Sequence, residues 1–320
     1  MIKKAYKKPF FIYNVYGDKM NGLLLINKPQ GITSHDCLMK LKKRLGIKRL
    51  GHTGTLDPFA TGLLIVLVGE ATKLLFMFEN LDKSYEGIMV FGKDYDTLDV
   101  TGKVIQEKEV KINEKRIKEA MHSFIPSYDQ IPPQYSAIKK DGMKAYEMAR
   151  LGLEIELEPR RVQIYDFKMI DFNGKLTFET HVSKGTYIRS LARDLGYKLN
   201  TYGALEKLNR LSIGKYQLKD AKNIEEVTMN DLITDEKLFD NIRRIKLNDY
   251  MIRLVKNGVQ LDHRQTTEKD PFVVINHNNE MIAYYELDGD KFKPKYFFGK
   301  GKSLWKYITL NILILNMMYQ

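Results

Sequence analysis

Residues 51–62, Gly-His-Thr-Gly-Thr-Leu-Asp-Pro-Phe-Ala-Thr-Gly, constrain the fold more than any other part of the chain. The glycines allow positive φ angles and a close approach of the backbone to a ligand. Pro58 fixes its own φ and biases Asp57 toward an extended conformation. The segment leads directly into the apolar residues 63–68, which predict a strand. The sequence therefore predicts a stiff turn before a strand, with one carboxylate among small polar neighbours.

This turn is a candidate functional site. A carboxylate held in such surroundings suits a nucleophile or a general base. Two other interpretations apply to the segment by itself: an ordinary loop in which Asp57 caps a neighbouring element, or a phosphate-binding loop. The second is disfavoured, because the segment lacks the Gly-Lys-Ser/Thr ending of a P-loop and the three-glycine spacing of a dinucleotide site. The residues alone indicate a site and leave its reaction open.

Five blocks of sequence, in order along the chain, resemble the TruB family of bacterial tRNA pseudouridine synthases, which modify the T-loop uridine of tRNA. In that family a Gly-His-Thr-Gly-Thr/Ala-Leu-Asp-Pro run carries the catalytic aspartate, and here this run is residues 51–58. The other blocks are residues 25–34, 69–73 together with 83–85, 130–137 and 185–196. The resemblance extends over residues 22–214, about three-fifths of the chain.

The resemblance implies a fold and a division into domains. We expect an α+β pseudouridine synthase catalytic fold around a mixed, mostly antiparallel sheet, with a small β-rich PUA-like C-terminal domain. The expected parts are a basic N-terminal extension (1–19), the catalytic domain (20–239) with an inserted tRNA-contacting segment at about 125–152, a PUA-like RNA-binding domain (240–305) and a C-terminal tail (306–320). The extension is either an RNA-contacting arm or precedes a true start at Met20.

Three residues are implied to be catalytic. Asp57 matches the family's aspartate that acts at the ribose of the target uridine. Tyr85 matches the residue that stacks on the target uracil and helps to remove the C5 proton. Arg189 matches the arginine that pairs with the aspartate and keeps it ionised and oriented. Whether Asp57 attacks C1′ directly or removes the 2′ proton to give a glycal intermediate stays open.

Five further residues are implied to contact the substrate. His52 matches the histidine that occupies the space left by the flipped nucleotide, and Tyr187 matches the residue that packs against the aspartate–arginine pair. Lys28 and Lys73 are motif lysines with charge or phosphate roles, and Leu208 has the apolar character of a pocket wall. No metal ligands are expected, because the chain has a single cysteine, Cys37, which excludes a multi-cysteine zinc site and a disulfide framework.

The distribution of charge favours a nucleic-acid partner. The net charge is +12, and residues 1–49 carry 12 basic and two acidic residues, whereas residues 291–320 carry six lysines and no acidic residue. The span between them therefore carries a net −4. Two basic regions around a nearly neutral middle suit a polyanion that lies across the molecule, such as a structured RNA, although solubility alone also explains a basic composition.

The expected partners and location follow from these features. We expect binding to the T-arm and T-loop of tRNA, no cofactor, no guide RNA, a monomeric protein and a cytoplasmic location. No secretory signal is evident at the N-terminus, and the apolar run at residues 307–319 is too short to span a bilayer. The isomerisation itself requires no redox, metal or nucleotide cofactor.

Four other functions are compatible with parts of this sequence. The same scaffold could serve a tRNA-binding or tRNA-folding protein, a pseudouridine synthase for another RNA, or a guide-RNA-dependent relative. A glycoside hydrolase also cleaves at an anomeric carbon, but it usually uses two carboxylates. Asp57 is the one carboxylate in a motif of this kind. The intact Asp57, Tyr85 and Arg189 argue against a non-catalytic protein. Thr53, where the guide-RNA-dependent branch is expected to have serine, and the small C-terminal region favour the stand-alone bacterial type.

Hydrophobic periodicity and turn residues predict several elements. Thr33 or Ser34 is expected to cap a helix that ends at Gly46, and Asn173-Gly174 is expected to join two strands in a hairpin. The predicted strands are 23–27, 63–68, 85–91, 161–172, 175–182, 208–218, 250–255, 272–276 and 280–287, and the further helices are 71–79, 113–124, 143–151, 187–200 and 223–233.

Overall fold

The computed structural model describes residues 21–140, 142–153 and 155–299. The predicted N-terminal extension and C-terminal tail lie outside the described residues. The strands are β1 (Gly22–Lys28), β2 (Leu50–His52), β3 (Thr61–Val68), β4 (Lys83–Phe91), β5 (Lys93–Tyr95), β6 (Val104–Glu107), β7 (Ser127–Gln130), β8 (Lys139–Lys140), β9 (Met143–Lys144), β10 (Arg160–Phe172), β11 (Leu176–Val182), β12 (Gly203–Ile213), β13 (Tyr216–Gln217), β14 (Lys222–Asn223), β15 (Ile233–Thr234), β16 (Arg243–Lys246), β17 (Phe272–Ile275), β18 (Met281–Asp288) and β19 (Lys291–Phe297). The α-helices are α1 (Ser34–Leu45), α2 (Phe76–Glu79), α3 (Glu114–His122), α4 (Ala145–Arg150), α5 (Ile188–Lys198) and α6 (Asp249–Lys256).

Within the described residues, eleven strands form one large sheet. Its order is β14-β1-β3-β12-β4-β11-β10-β7, and β15, β2 and β13 pair with β1, β3 and β12 respectively. The pairings of β1 with β14 and of β3 with β12 are parallel, and the other pairings in this sheet are antiparallel. The predicted α+β class with a mixed, mostly antiparallel sheet is confirmed.

Strand β3 lies near the middle of this sheet and begins at the end of the Asp57 turn. Its residues from Gly62 to Val68 are all buried. Side chains on one face pack against α1, and those on the other face pack toward the C-terminal sheet. Because both faces are covered, the strand is a continuous apolar run without the alternation of a half-exposed strand.

Helix α1 has the predicted bounds. Thr33 is its N-cap and forms a capping box with Asp36, and Gly46 ends the helix in the left-handed conformation at φ 69°. Cys37 is fully buried together with Leu41 against the sheet. The helix therefore begins at a defined residue beside the Asp57 turn.

One part of the core lies between the long hairpin and α5. The hairpin β10–β11 forms around Asn173-Gly174 as predicted, with Gly174 at φ 69°. Helix α5 packs on β12 at a very close contact, where a Cβ on Gly196 would lie 2.3 Å from the nitrogen of Gly203. This close contact holds the C-terminal half of α5 against β12.

Three of the secondary-structure predictions were wrong. Residues 250–255 belong to helix α6, because Asn248 accepts a hydrogen bond from the Met251 N–H at 2.9 Å and caps it. Residues 223–233 contain one 3₁₀ turn, and the chain on either side pairs with β1 through β14 and β15. Residues 71–79 form a 3₁₀ helix followed by the short α2.

The C-terminal sheet has the order β16-β17-β18-β19. One face packs on α6, and the other face shares a core with β1 and β3 of the large sheet. The Tyr296 hydroxyl donates a hydrogen bond to Asp235 across this shared core at 2.5 Å, and both residues are buried. The presence of a strand-rich C-terminal sheet is confirmed. In the described part of the chain, no helix has both the length and the apolar character needed to cross a membrane.

We predict that Tyr296→Phe lowers the free energy of unfolding by about 1–3 kcal/mol at neutral pH, because the buried Asp235 carboxylate loses a donor. Denaturant unfolding followed by circular dichroism measures this change. Tyr284→Phe is the matched control, since its hydroxyl donates to the partly exposed Glu286 at 2.9 Å, and its loss is expected to cost less. Equal stability of Tyr296→Phe and the unmodified protein would contradict the prediction.

Candidate active site

The turn that carries Asp57 is held in place by the first sequence block. The Gly31 N–H donates to the Pro58 carbonyl at 2.7 Å. The buried Ser34 hydroxyl accepts from the Leu56 N–H at 2.9 Å and donates to the Leu56 carbonyl at 3.2 Å. The main chain is thus bound on both sides of Asp57 by residues that lie more than twenty positions earlier.

A buried arginine, Arg210, holds the other end of this turn. It is 1% exposed and lies on β12. Its guanidinium donates to the carbonyls of Leu63 at 2.8 Å, Gly54 at 3.1 Å and Thr55 at 3.5 Å. Sequence analysis did not identify Arg210, because its strand also contains Glu206, Lys207 and Asn209 and so gives no sign that this arginine is buried.

Glycine is required where β3 passes Arg210. Gly62 has φ +105°, and a Cβ there would lie 2.5 Å from both the nitrogen and the carbonyl oxygen of Arg210. Any other residue would therefore push β3 away from β12, the strand that carries Arg210. This is a concrete reason for the glycine that ends the first sequence feature.

Asp57 and Arg189 form a bidentate ion pair. Nε of Arg189 lies 2.9 Å from one carboxylate oxygen, and Nη2 lies 3.1 Å from the other. The Arg189 side chain is 7% exposed, whereas the Asp57 side chain is 35% exposed. The remaining Arg189 N–H groups donate to the carbonyls of Thr97 and Tyr135, each at 2.8 Å. The guanidinium is therefore buried and immobilised, and the carboxylate opens toward the surface.

Opposing effects act on the Asp57 carboxyl. Burial raises its pKa, and the nearby Arg189 guanidinium opposes this shift by stabilising the carboxylate. The carboxylate of the buried Asp99 raises the pKa further, and Lys28 lowers it. Arg189 is thus the main group that favours the ionised form of Asp57.

Lys28 is fully buried at the end of β1. Its ammonium donates to the Pro29 carbonyl at 2.9 Å and to the Ile32 carbonyl at 2.7 Å. Burial lowers the pKa of Lys28 to about 8, and Asp57 is among the groups that oppose this shift. The lysine therefore binds the turn that precedes α1 and contributes positive charge near Asp57.

Tyr85 and Leu208 belong to one buried cluster with Leu56, the neighbour of Asp57. Tyr85 and Leu208 are each 7% exposed and lie on the paired strands β4 and β12. In the register of that pair, Tyr85 is opposite Arg210. Together with Leu56, which directly precedes Asp57, Tyr85 and Leu208 form part of an apolar cluster that we call the apolar floor.

His52 lies on β2, which precedes the Asp57 turn, and Tyr187 lies at the start of α5, which carries Arg189. His52 ends β2, and its Nδ1 is buried without a hydrogen-bond partner among the described residues. Burial lowers the pKa of His52, which favours the neutral imidazole. Tyr187 is the N-cap residue of α5, two positions before Arg189, and burial raises the pKa of its phenol.

Lys73 differs from the other predicted site residues in its surroundings. It lies on the 3₁₀ helix Gly69–Leu74, and its ammonium pairs with Glu70, which also pairs with Arg49 at 3.0 Å. Among the described residues, no hydrogen bond or ion pair joins Lys73 to Asp57. Its assignment to substrate binding stays a prediction.

The arrangement can support chemistry at a carbon that carries a leaving group. An oriented carboxylate, exposed on one side and paired with an immobile guanidinium, can act as a nucleophile or as a base. The apolar floor can hold a planar ring beside it. In residues 21–299, leaving aside 141 and 154, no group of three or more histidine, cysteine or acidic side chains is arranged to hold a metal ion.

Comparisons with known proteins bear on the family. Residues 42–188 match the sequence profile described as TruB family pseudouridylate synthase (N terminal domain). The chain is 53% identical over 279 residues to tRNA pseudouridine synthase B of Acholeplasma laidlawii, which covers 87% of this chain and all of that protein. It is 36% identical over 279 residues to the protein of that name from Thermotoga maritima, which covers 84% of this chain and 90% of that protein.

Solved structures show the same fold. The chain matches a structure titled Crystal Structure of a Cbf5-Nop10-Gar1 Complex with a TM-score of 0.59 and 21% identity, over 83% of this chain and 78% of that one. A second, titled Structure of H/ACA RNP bound to a substrate RNA containing 2'-deoxyuridine, gives a TM-score of 0.61 and 19% identity over 87% and 84%. At these identities the likeness concerns the fold alone. The sequence identities above show that the chain belongs to the TruB family of pseudouridylate synthases.

Proposed function

We propose that this protein is a tRNA pseudouridine synthase that isomerises the T-loop uridine of tRNA. The observation that carries the proposal is the bidentate pair of Asp57 and Arg189, in which a carboxylate is presented at the surface by a buried guanidinium. Relatives at 53% and 36% identity are named tRNA pseudouridine synthase B, which supports tRNA as the substrate.

The reaction exchanges one bond to the ribose for another. The C1′–N1 bond breaks, the uracil turns while it stays bound, and C5 joins C1′. The proton on C5 leaves and N1 gains a proton, so no atom is added or lost overall. The target base must also leave its stack to reach the protein.

Asp57 supplies the group that acts at the ribose. It either attacks C1′ or removes the 2′ proton, and both routes need the ionised carboxylate. Arg189 favours that form, because its guanidinium lowers the pKa that burial of Asp57 raises. We propose that Tyr85 and Leu208, which belong to one buried cluster, form the surface on which the detached uracil rests while it turns, and that Tyr85 assists loss of the C5 proton.

Positive charge near the turn supports binding of the RNA backbone. Lys40 and Lys43 on α1, and Lys48 after it, are exposed. Helix α1 starts beside Asp57 through the bonds between Ser34 and Leu56. Phosphate contacts from this surface would position the T-arm without reading its sequence.

The remaining parts of the proposal follow the family. We propose that the catalytic domain ends near 239 and a PUA-like RNA-binding domain follows, and that residues at about 125–152 contact the T-arm. His52, Tyr187, Lys28 and Lys73 are proposed to assist substrate binding. The protein is proposed to act as a monomer in the cytoplasm, without a guide RNA.

We predict that Asp57→Asn abolishes tritium release from tRNA labelled at uridine C5, while tRNA affinity stays within about three-fold, because phosphate contacts dominate binding. Tritium release and filter binding measure the two effects. Wild-type release should disappear when the T-loop uridine is replaced by cytidine. Release that persists on that transcript would point to another uridine, and a wild type that binds tRNA without releasing tritium would overturn the proposed function.

We predict that Arg189→Gln lowers kcat by about 10²–10³-fold, because the Asp57 carboxylate loses the two charged hydrogen bonds from the guanidinium. The acidic limb of the pH profile should move to higher pH. Without the guanidinium, Lys28 is the remaining cation named above that lowers the Asp57 pKa against the effect of burial, so a higher pH is needed to ionise Asp57.

Arg189→Lys is the control for charge without the two-point contact. It should move the acidic limb less than Arg189→Gln, because a positive charge remains near Asp57. An acidic limb that does not move in Arg189→Gln would show that the limb reports another group.

A further inference from the structure

Gln130, the last residue of β7, makes an unusual pair of contacts with the start of α5. It is 1% exposed. Its side-chain carbonyl accepts from the Tyr187 N–H at 2.8 Å, and its amide nitrogen donates to the Tyr187 carbonyl at 3.1 Å. The same nitrogen also contacts the Tyr128 hydroxyl. One side chain therefore binds both main-chain groups of a residue 57 positions away.

The start of α5 needs such a partner. Tyr187 is the N-cap residue, but its side chain makes no capping hydrogen bond. Its carbonyl accepts the Leu191 N–H at 3.0 Å, which is the first bond of the helix. In the absence of Gln130, the Tyr187 N–H would have to find another partner in a largely buried position. Gln130 thus determines where the helix begins and how its first turn is oriented.

The first turn of α5 carries Arg189. The chain that follows Gln130 binds this turn at further points. The Ile131 carbonyl accepts from the Ser190 hydroxyl and from Arg193, each at 2.9 Å, and the Tyr135 carbonyl accepts from Arg189 itself at 2.8 Å. Residues 130–135 therefore support α5 at several points, and Gln130 contributes a buried side chain to this support.

The two-point contact with Asp57 is sensitive to the position of this turn. Both Arg189–Asp57 distances, 2.9 and 3.1 Å, are those of well-formed charge-assisted hydrogen bonds. A small rotation of the first turn of α5 would keep the charge nearby and lose the parallel geometry. Displacements of about 1 Å around a reacting group can cost about 10²-fold in rate.

We propose that Gln130 is a positioning residue for the reaction: by binding both main-chain groups of Tyr187, it orients the first turn of α5 so that the Arg189 guanidinium meets Asp57 at two points. Gln130 does not touch the reacting atoms and acts through Arg189. Its kinetic consequence rests on the proposed function, whereas its effect on the Asp57–Arg189 pair does not.

Gln130→Met tests the proposal, because methionine has a similar volume and offers neither hydrogen bond. We expect kcat for tritium release to fall about 10–100-fold, with KM for tRNA within about three-fold. The acidic limb of the pH profile moves to higher pH. In the Arg189→Lys background, Gln130→Met costs little more, because the two-point contact is already absent.

A readout independent of turnover is the titration of Asp57. Its ¹³C-labelled carboxyl resonance, identified by its loss in Asp57→Asn, is expected to titrate at higher pH in Gln130→Met than in wild type. Wild type without tritium release would overturn the proposed function, and this titration would still decide the role of Gln130.

Two further variants separate positioning from stability. Asn113→Ala removes the N-cap bond of α3, in which the Asn113 side chain accepts from the Arg116 N–H at 3.0 Å, and should leave kcat and the Asp57 titration unchanged. Gln130→Glu keeps the acceptor for the Tyr187 N–H and loses the donor to the Tyr187 carbonyl. Its kcat should therefore fall less than that of Gln130→Met. It takes the place of Gln130→Met where that variant does not fold. An unchanged Asp57 titration, or a full additional loss of rate in the Arg189→Lys background, overturns the proposal.

Discussion

The ion pair between Asp57 and Arg189 is the interaction on which the rest of the site depends. Its partners lie 132 positions apart, one on a turn and one in the first turn of a helix. Neither element could hold a charged group in place alone, because a turn and the first turn of a helix satisfy few of their main-chain hydrogen-bonding groups internally. The large sheet solves this by carrying the turn on β3 and supporting α5 on β12.

Two other buried cations show how the turn is made rigid. Arg210 binds main-chain carbonyls of this turn, and Lys28 binds carbonyls of the neighbouring turn that precedes α1. These hydrogen bonds offset the cost of removing the two cations from water. Lys28 also lowers the pKa of Asp57, whereas the carboxylate of Asp99 raises it. Lys28 therefore combines mechanical support with an electrostatic effect on Asp57.

Sequence patterns were reliable where the physical cause was local. The cap at Thr33, the glycine at Gly46 and the hairpin at Asn173-Gly174 all formed as expected, since each depends on a few neighbouring residues. Residues 250–255, which were predicted to form a strand, belong to α6, because the Asn248 side chain caps this helix. The prediction of a helix at 223–233 was wrong, because both ends of this segment pair with β1 as short strands.

The sequence by itself was enough to identify the family, the turn that carries Asp57 and the residues expected at the active site. It could do so because these depend on motif identity and short-range backbone preferences. Only the tertiary structure decided that Arg210 supports the turn, that Asp99 lies close enough to raise the Asp57 pKa, and that Gln130 binds the start of α5. These contacts join residues that are distant in the chain, and their geometry is set by strand register and helix packing, which no local pattern specifies.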